Sequence, residues 1–317
     1  MPKYVVTGGA GFIGSATVRE LLALPDAEVV VIDNLLSGKR ANLADVLERI
    51  SLVVSDIRDY DNLLKHFRGA DVVFHLAAIP SVPRSITDPV PSHDVNVNGT
   101  FSVFRASVDG KVRRVVYAAS SSAYGDTDVL PKVESMRPLP KSPYAVQKLM
   151  GEYYASVFQS CYGLETVALR YFNVYGPRQD PNSPYSGVIS VFMKSLLTKE
   201  APTIFGDGNQ TRDFTYVDDV AALNVCAAHT AEASGLVLNG GNGDRYSLND
   251  VWALLQKIAG APLSAKFGEA RTGDVKDSQA DIAAVRAALP YRPRFALEEG
   301  LRNTFEWYRS QFNDRGV

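Results

Sequence analysis

Apolar residues gather along the first half of the chain in short, nearly continuous runs, and between the runs they recur at helical spacing. Tyr4 to Thr7, Glu28 to Ile32, Leu52 to Val54, Asp71 to His75 and Arg114 to Ala119 read as strands, their unbroken apolar character matching strands covered on both faces. Phe12 to Leu24, Tyr60 to Phe67 and Pro91 to Val108 read as the intervening helices. Strands alternating with helices predict an α/β fold around a parallel, doubly wound sheet. His75 sits inside Val72-Val73-Phe74-His75-Leu76 and reads as a core histidine without chemistry. Asn96-Val97-Asn98-Gly99-Thr100 falls in a predicted helix, where asparagine and glycine are poor interior residues, so something other than helix propensity selects them.

A longer helix opens at Tyr144: Ser142 is a natural N-cap, Pro143 a natural first helical residue, and the helix is expected to stop near Gly163. Beyond Tyr175-Gly176-Pro177 the alternation weakens and Arg178 to Gly187 is loop-rich, which places a change of domain there. Asp213 to Tyr216 and Val237 to Gly240 read as returns to the sheet around a Val217 to His229 helix. The expected division is a first domain of residues 1–173 with the returning segment 213–240, and a smaller mixed α/β domain of 174–212 and 241–317.

A chain of 317 residues with 46% hydrophobic content suffices for two domains and a sizeable core. A formal charge of -2 and a pI near 6.1 leave no basic footprint, so neither nucleic acid nor an anionic membrane is expected as a partner. Cys161 and Cys226 make no disulfide framework and the four histidines lack metal-ligand spacing, so no metal and a reducing cytoplasm are expected. A strand beginning at Tyr4 leaves no room for a signal peptide, and no apolar run approaches a membrane span.

Gly8, Gly11 and Gly14 stand between the first strand and the first helix. Such glycines allow a tight turn and close approach of a diphosphate to the helix N-terminus; a purely structural turn is the competing reading. Asp33, nineteen positions beyond Gly14, ends the second strand, where a carboxylate can accept hydrogen bonds from an adenosine ribose and repel a 2'-phosphate. NAD is thereby favoured over NADP, against the alternative that Asp33 caps the following loop. Tyr144 and Lys148 share one helix face, and the ammonium is expected to pull the phenol below its usual pKa of about 10. The fifth strand delivers Ser120-Ser121-Ser122 to the carboxyl edge of the sheet, where a serine can share a proton with Tyr144.

With Thr7-Gly8-Gly9-Ala10-Gly11-Phe12-Ile13-Gly14, Asp33-Asn34, Asp56-Ile57, His75-Leu76-Ala77-Ala78, Asn96 to Thr100, Ser120 to Gly125, Tyr144 with Lys148, and Arg170 to Pro177 in this order, the chain resembles the extended short-chain dehydrogenase/reductases, and among them the UDP-hexose 4-epimerases. The resemblance implies a Rossmann-type domain holding NAD. Gly8, Gly11, Phe12, Ile13, Gly14, Asp33, Asn34 and Tyr171 would serve the cofactor, Asp56 and Ile57 would meet adenine, and Leu76, Ala77 and Ala78 would pack along it. Asn98 would support the active-site hydrogen-bond network, Ser120 and Tyr144 would be catalytic, and Lys148 would hold the nicotinamide ribose while tuning Tyr144.

The resemblance also implies a UDP-sugar substrate. Ser121 and Ser122 would lie beside the sugar, Val188 and Ile189 would offer backbone groups to the nucleotide, Ile204 and Phe205 would line the uracil pocket, and Asp274 would reach a ribose hydroxyl. Asn173, Arg212 and Arg271 are candidates for the diphosphate, since guanidinium groups match phosphate oxygens, with surface salt bridges the competing reading of both arginines. Ser278 falls where bulk limits the C2 substituent, and its small side chain leads us to expect UDP-GlcNAc and UDP-GalNAc beside UDP-glucose and UDP-galactose. Ser81 and its neighbours to Ser85, and Arg178 to Asn182, resemble the N-acetylhexosamine-epimerising subgroup. Ser121-Ser122 stands where dehydratases carry Asp-Glu and decarboxylases a glutamate; UDP-glucuronate 4-epimerase is the enzyme alternative, and a non-catalytic NAD-binding module the alternative from another class. A homodimer through the Asn98 and Tyr144 helices is implied by resemblance.

Overall fold

The structure is a computed structural model describing residues 1–181, 187–270 and 275–313. Seven strands form the central sheet among these residues: β1 (Lys3–Thr7), β2 (Glu28–Asp33), β3 (Ser51–Val54), β4 (Val72–His75), β5 (Arg114–Ser120), β6 (Glu165–Tyr171) and β7 (Val237–Gly240). Their order is β7-β6-β5-β4-β1-β2-β3 and every pairing is parallel. Strand order reverses between β1 and β4, which opens a crevice at the carboxyl edge.

Side-chain alternation assigns each strand to two cores. Tyr4 and Val6, with Val29, Val31 and Phe74, face the helices Phe12–Leu22 and Val217–His229 through Val18, Leu21, Val220 and Leu223. Val5, Val30, Ile32, Val73 and Val115 face the opposite side, where Leu63, Phe67, Val103, Phe104 and Phe158 come from the helices Tyr60–Phe67, Thr100–Asp109 and Pro143–Tyr162. Each such side chain removed from water contributes about 1.5–3 kcal/mol, so the sheet is held from both faces. Arg114, 1% exposed, ties the bottom of β5 to the Val217–His229 helix. Its Nη1 donates to the carbonyls of Ala227 at 2.8 Å and Thr230 at 2.5 Å, and its Nε to Glu165 Oε2 at 2.8 Å, satisfying carbonyls that a helix end leaves without partners.

Two expectations about elements need correction. Val237–Gly240 does return to the sheet, but Phe214–Tyr216 pairs with Asn173–Tyr175 in a separate two-stranded sheet. The cause is aromatic: Tyr175, Phe214 and Tyr216 insert into another core, built with Phe192, Trp252 and Phe305 on the helices Val188–Thr198, Leu248–Ala259 and Leu297–Asn313. The helix expected from Pro91 to Val108 is also interrupted, because Asp94–Gly99 forms a wider π turn between Pro89–His93 and Thr100–Asp109. That bulge accommodates a buried amide. Asn96 Oδ1 accepts from Ile79 N at 2.7 Å, while Nδ2 donates to Ile79 O at 3.1 Å and to Gln147 Oε1 at 2.9 Å. His75 is a core residue as expected, its ring bridging the Thr7 and Thr100 hydroxyls at 2.9 Å each.

Candidate active site

Local chemistry sets each wall of a cavity of about 990 Å³ at the carboxyl edge of the sheet, at the upper end of the range for ligand pockets. Gly8 has φ +71°, and a Cβ there would lie 2.7 Å from the Ala77 backbone; one on Gly14 would lie 2.1 Å from Gly8 O. Only glycine lets this turn close against β4 and the helix Phe12–Leu22 start beside it, its first N–H groups open to an anion. Asp33, at the end of β2, accepts from Ala10 N at 3.0 Å and Leu35 N at 2.8 Å. Burial raises its pKa and these two bonds oppose the rise.

At the other end, Ser142 caps the Pro143–Tyr162 helix by accepting from Ala145 N at 3.2 Å, and Gly163 closes the helix with φ 70°. Tyr144 N donates to Ser85 Oγ at 3.1 Å, and Lys148 Nζ donates to the Ala118 carbonyl of β5 at 2.8 Å. Ser120 Oγ, at the end of β5, accepts from Ser122 N at 3.2 Å and meets Ser122 Oγ at 2.9 Å. Ser120, Tyr144 and Lys148 thus converge on one wall.

The acidity expected of Tyr144 is not what the free chain provides. Burial pushes its pKa up to about 12, with the Ser120 hydrogen bond lowering it in part. Burial also brings Lys148 down to about 8. The lysine has spent its nearest bond on a carbonyl rather than on the phenol, so desolvation outweighs charge attraction.

The cavity is lined by the glycine turn with Phe12 and Ile13, by Asp33, Asn34, Ile57, Leu76, Ala77, Ala78 and Tyr171, and toward the opposite end by Ser121, Ser122, Asn173, Arg212 and Ser278. Tyr171 does so while its hydroxyl donates to Asn224 Oδ1. Arg212 Nη1 donates to the Thr211 and Lys276 carbonyls at 2.8 and 2.9 Å. Several predicted residues stand off this surface. Asn98 is exposed and donates to Asp94 Oδ1 at 2.9 Å; the amide that braces the site is Asn96, two positions earlier. Asp56 points to Arg58, which holds its pKa down at about 2, and accepts from Asn34 at 2.9 Å, leaving Ser55 and Ile57 on the wall. The Ser81 hydroxyl is spent capping the Val82–Thr87 helix, so Pro80 and Val82 face the cavity instead. Ile189 and Ile204 are core residues, Val188 packs against that core, and Phe205 is half-buried beside Gly268; Gly187 takes the place expected of Val188 and Ile189. Arg271 and Asp274 lie outside the described residues.

Wall residues that sequence reasoning missed include Leu36, Ser37 and Lys39 near Asp33, Lys132 and Val275 near Ser278, and Lys141 just ahead of the Tyr144 helix. Lys132 is 2% exposed and donates to Thr127 O at 2.6 Å. It lies in a polar loop without periodicity, and no local signal marks it. Gln179 and Asp180 also line the wall, from the segment Arg178 to Asn182 already singled out. Among the described residues no helix is long and apolar enough to cross a membrane, and no cluster of His, Cys, Asp and Glu could hold a metal ion.

A glycine cradle at a helix start, an acid closing β2 and a Ser/Tyr/Lys trio beyond them are the parts of an enzyme that binds a dinucleotide and moves protons. Residues 4–241 match the model of the NAD dependent epimerase/dehydratase family, and the chain belongs to that family. It is 39% identical over 314 residues to the UDP-glucose 4-epimerase of Mycolicibacterium smegmatis, covering 98% of this chain and 99% of that one. Among solved structures it resembles the UDP-N-acetylglucosamine 4-epimerase of Methanobrevibacter ruminantium in complex with UDP-N-acetylmuramic acid, with a TM-score of 0.93, 40% identity and 98% and 99% of the two chains covered. It also resembles the UDP-glucuronic acid 4-epimerase of Bacillus cereus in complex with UDP-glucuronic acid and NAD, with a TM-score of 0.91, 34% identity and again 98% and 99% covered.

Proposed function

We propose that this protein interconverts the C4 epimers of UDP-hexoses with NAD held in the cavity, taking UDP-GlcNAc and UDP-GalNAc and also UDP-glucose and UDP-galactose. The observation that carries the reading is the convergence of Ser120, Tyr144 and Lys148 on the cavity wall that continues into the glycine cradle. The cradle fits a dinucleotide: the close approach at Gly8 and Gly14 leaves backbone N–H groups for a diphosphate, and Asp33 retains acceptor capacity for ribose hydroxyls. Lys148 would hold the nicotinamide ribose. When bound, NAD would supply the reversible hydride acceptor for C4 of the sugar, whose 4-keto form would turn before recovering the hydride on its opposite face.

The chain's own part is proton handling and placement. Tyr144 takes the proton of the sugar 4-hydroxyl and later returns one, with Ser120 relaying it. A phenol pushed up to about 12 in the free chain, with Lys148 already in place, is a poor acid, so the further positive charge that would bring it into range is that of the oxidised cofactor. Arg212 and Asn173, with Arg271 expected to join them, hold the diphosphate while the hexose turns. The small Ser278 side chain on the wall leaves space for an N-acetyl group. Residues 1–173 with the Val217–His229 helix and β7 would serve the cofactor, and the remainder, now including Phe214–Tyr216, the nucleotide sugar.

A second reading, a UDP-glucuronate 4-epimerase, is favoured by the buried amine of Lys132 near Ser278, which suits a sugar carboxylate. Incubation with UDP-GlcNAc, UDP-glucose and UDP-glucuronate separately, without added cofactor, followed by chromatographic separation of the epimers, decides between them. Turnover of UDP-glucuronate alone would replace the first reading. We further propose a homodimer working in the reducing cytoplasm, with two helices from each protomer in contact. Support comes from the exposed Phe101, Val146, Tyr153 and Val157 on the helices Thr100–Asp109 and Pro143–Tyr162, and from two free cysteines. Exposed apolar side chains grouped on adjacent helices mark contact surfaces; sedimentation of the purified protein checks the dimer.

A further inference from the structure

Glu152 follows Lys148 by one helical turn and Tyr144 by two, so all three share a face of the Pro143–Tyr162 helix. Arg170 is the penultimate residue of β6. The two are 5% and 4% exposed and form a forked pair, Nε to Oε1 at 2.9 Å and Nη2 to Oε2 at 2.7 Å. The guanidinium carbon sits 4.6 Å from the ring centre of Tyr124. Tyr124 closes the short turn Ser121–Tyr124 that starts at Ser120, and its hydroxyl donates to Asn239 Oδ1 of β7 at 2.6 Å. Arg170 Nη1 has no partner, a status shared among the described buried side-chain atoms only with Thr198 Oγ1 and Tyr291 OH.

Stability alone accounts poorly for this arrangement. A buried ion pair repays its desolvation barely, an orphaned donor adds to the cost, and apolar residues of similar volume fill such a place at least as well. We propose that Glu152, Arg170 and Tyr124 are positioning residues: they lock the helix bearing Tyr144 and Lys148 to the turn bearing Ser120, and keep a charge-neutral pair beside the reacting groups. The guanidinium plane serves both tasks, its edge engaging the helix and its face engaging the turn. Lysine cannot substitute, since it offers a point charge without the fork or the flat face.

The other charges on the elements packed there are accounted for. Lys148 bonds Ala118 O, Asp94 pairs with Arg58, Arg105 with Asp109, and Arg114 with Glu165 at the far end of β5 and β6. His75 lies between two threonines and the Tyr117 hydroxyl donates to Lys148 O at 3.2 Å. Glu134 accepts from Asn239 N at 2.8 Å, Lys132 bonds Thr127 O, His93 and the cavity-wall Lys141 are exposed, and Arg84 is half-buried. Removing one member of the pair therefore leaves one new charge beside Lys148 and Tyr144, with a sign set by which member went.

This inference rests on Tyr144 being the proton-transfer group, and the test is read in two ways so that the two can fail separately. In holoenzyme, R170M leaves a bare carboxylate and should move both the alkaline limb of kcat and the Tyr144 phenolate titration to higher pH, by about half a unit or more; E152Q should move both to lower pH. The phenolate signal, taken as an ultraviolet difference against the same protein carrying Tyr144→Phe, needs no sugar, so it reports on the pair even if no hexose is turned over. R170K should keep the wild-type pH profile yet lose about tenfold in kcat with KM little changed, as misplacement rather than charge predicts. Where the single variants do not fold, E152M/R170M decides: it should retain NAD and melt near wild type while kcat falls about tenfold or more. Wild-type kcat in E152M/R170M, or equal pH shifts of one sign in R170M and E152Q, overturns the proposal.

Discussion

The two ends of the cavity are built by different means. The end at the glycine turn is made of strand termini and the turn that follows β1, so its wall is largely backbone locked by the sheet: Gly8 against Ala77, Gly14 against Gly8, Asp33 held by two N–H groups. The opposite end is assembled from segments far apart in the chain, with Ser122, Lys132, Arg212 and Ser278 brought to one cavity by tertiary contacts. Arg212 and Ser278 are joined through neighbouring strands, since Arg212 donates to Lys276 O and Ser278 N to Thr211 O at 3.1 Å. One end tolerates almost no change in shape, whereas the other can change its side chains and keep its frame. Under the proposed function, such a scaffold would let cofactor binding and choice of sugar vary independently.

The sharpest break in that contrast lies between the ends, at Tyr144. Tyr144→Phe should lower epimerisation by about 10²–10⁴-fold, the usual worth of a positioned acid or base, while NAD content of the purified protein stays at wild-type level. Wild-type turnover would remove the tyrosine from the mechanism. Gly14→Ala tests the rigid end: a Cβ set 2.1 Å from Gly8 O cannot be absorbed by a side-chain rotation. Overpacking of this kind costs about 1–3 kcal/mol, to be seen as a lower Tm together with lost NAD. Ser278→Tyr tests the adaptable end and should cut kcat/KM for UDP-GlcNAc by about 10–200-fold relative to UDP-glucose, leaving Tm within a degree or two. Equal losses for both sugars would show that residue 278 does not read C2.

The smallest effect is in pH. Lys148, brought down to about 8 by burial, keeps its proton below that value and loses it above, so kcat should fall on the alkaline side near pH 8 unless bound ligand raises the group. In the unfolded chain the same lysine titrates near the usual value of about 10.4, so between these two values the unfolded state holds more protons and this group's contribution to stability rises with pH. Melting and turnover should therefore move in opposite directions across that window.

Much of this frame is legible in the order of residues because its causes are local. Near-continuous runs such as Tyr4 to Thr7 can only be strands covered on both faces, and Ser142, Pro143 and Gly163 mark the ends of their helix by backbone chemistry alone. The tight glycine turn and the place of Asp33 at the end of β2 are legible for the same reason, while the meeting of positions 120, 144 and 148 on one wall follows from the order of strand and helix. Asn98 is the instructive failure. A π turn shifts the phase of the helix, so the amide reaching Ile79 and Gln147 is Asn96, and no periodicity rule for regular helices could show that. Phe214–Tyr216 looked like a sheet strand because its composition is one, but its partners lie in a core formed by the later helices. Lys132 and Val275 reach the wall by tertiary approach, for which the chain carries no local mark.

His75, clasped between Thr7 and Thr100, bears on how the protein meets acid. Its burial brings the imidazole down to about 3, whereas an unfolded chain protonates the same ring near 6.5. Below that point the unfolded form alone gains a proton, so mild acidification erodes the fold through a residue with no part in turnover. A vessel that drifts acidic would thus weaken this protein from within its framework, while the Tyr144 phenol, protonated throughout, registered nothing.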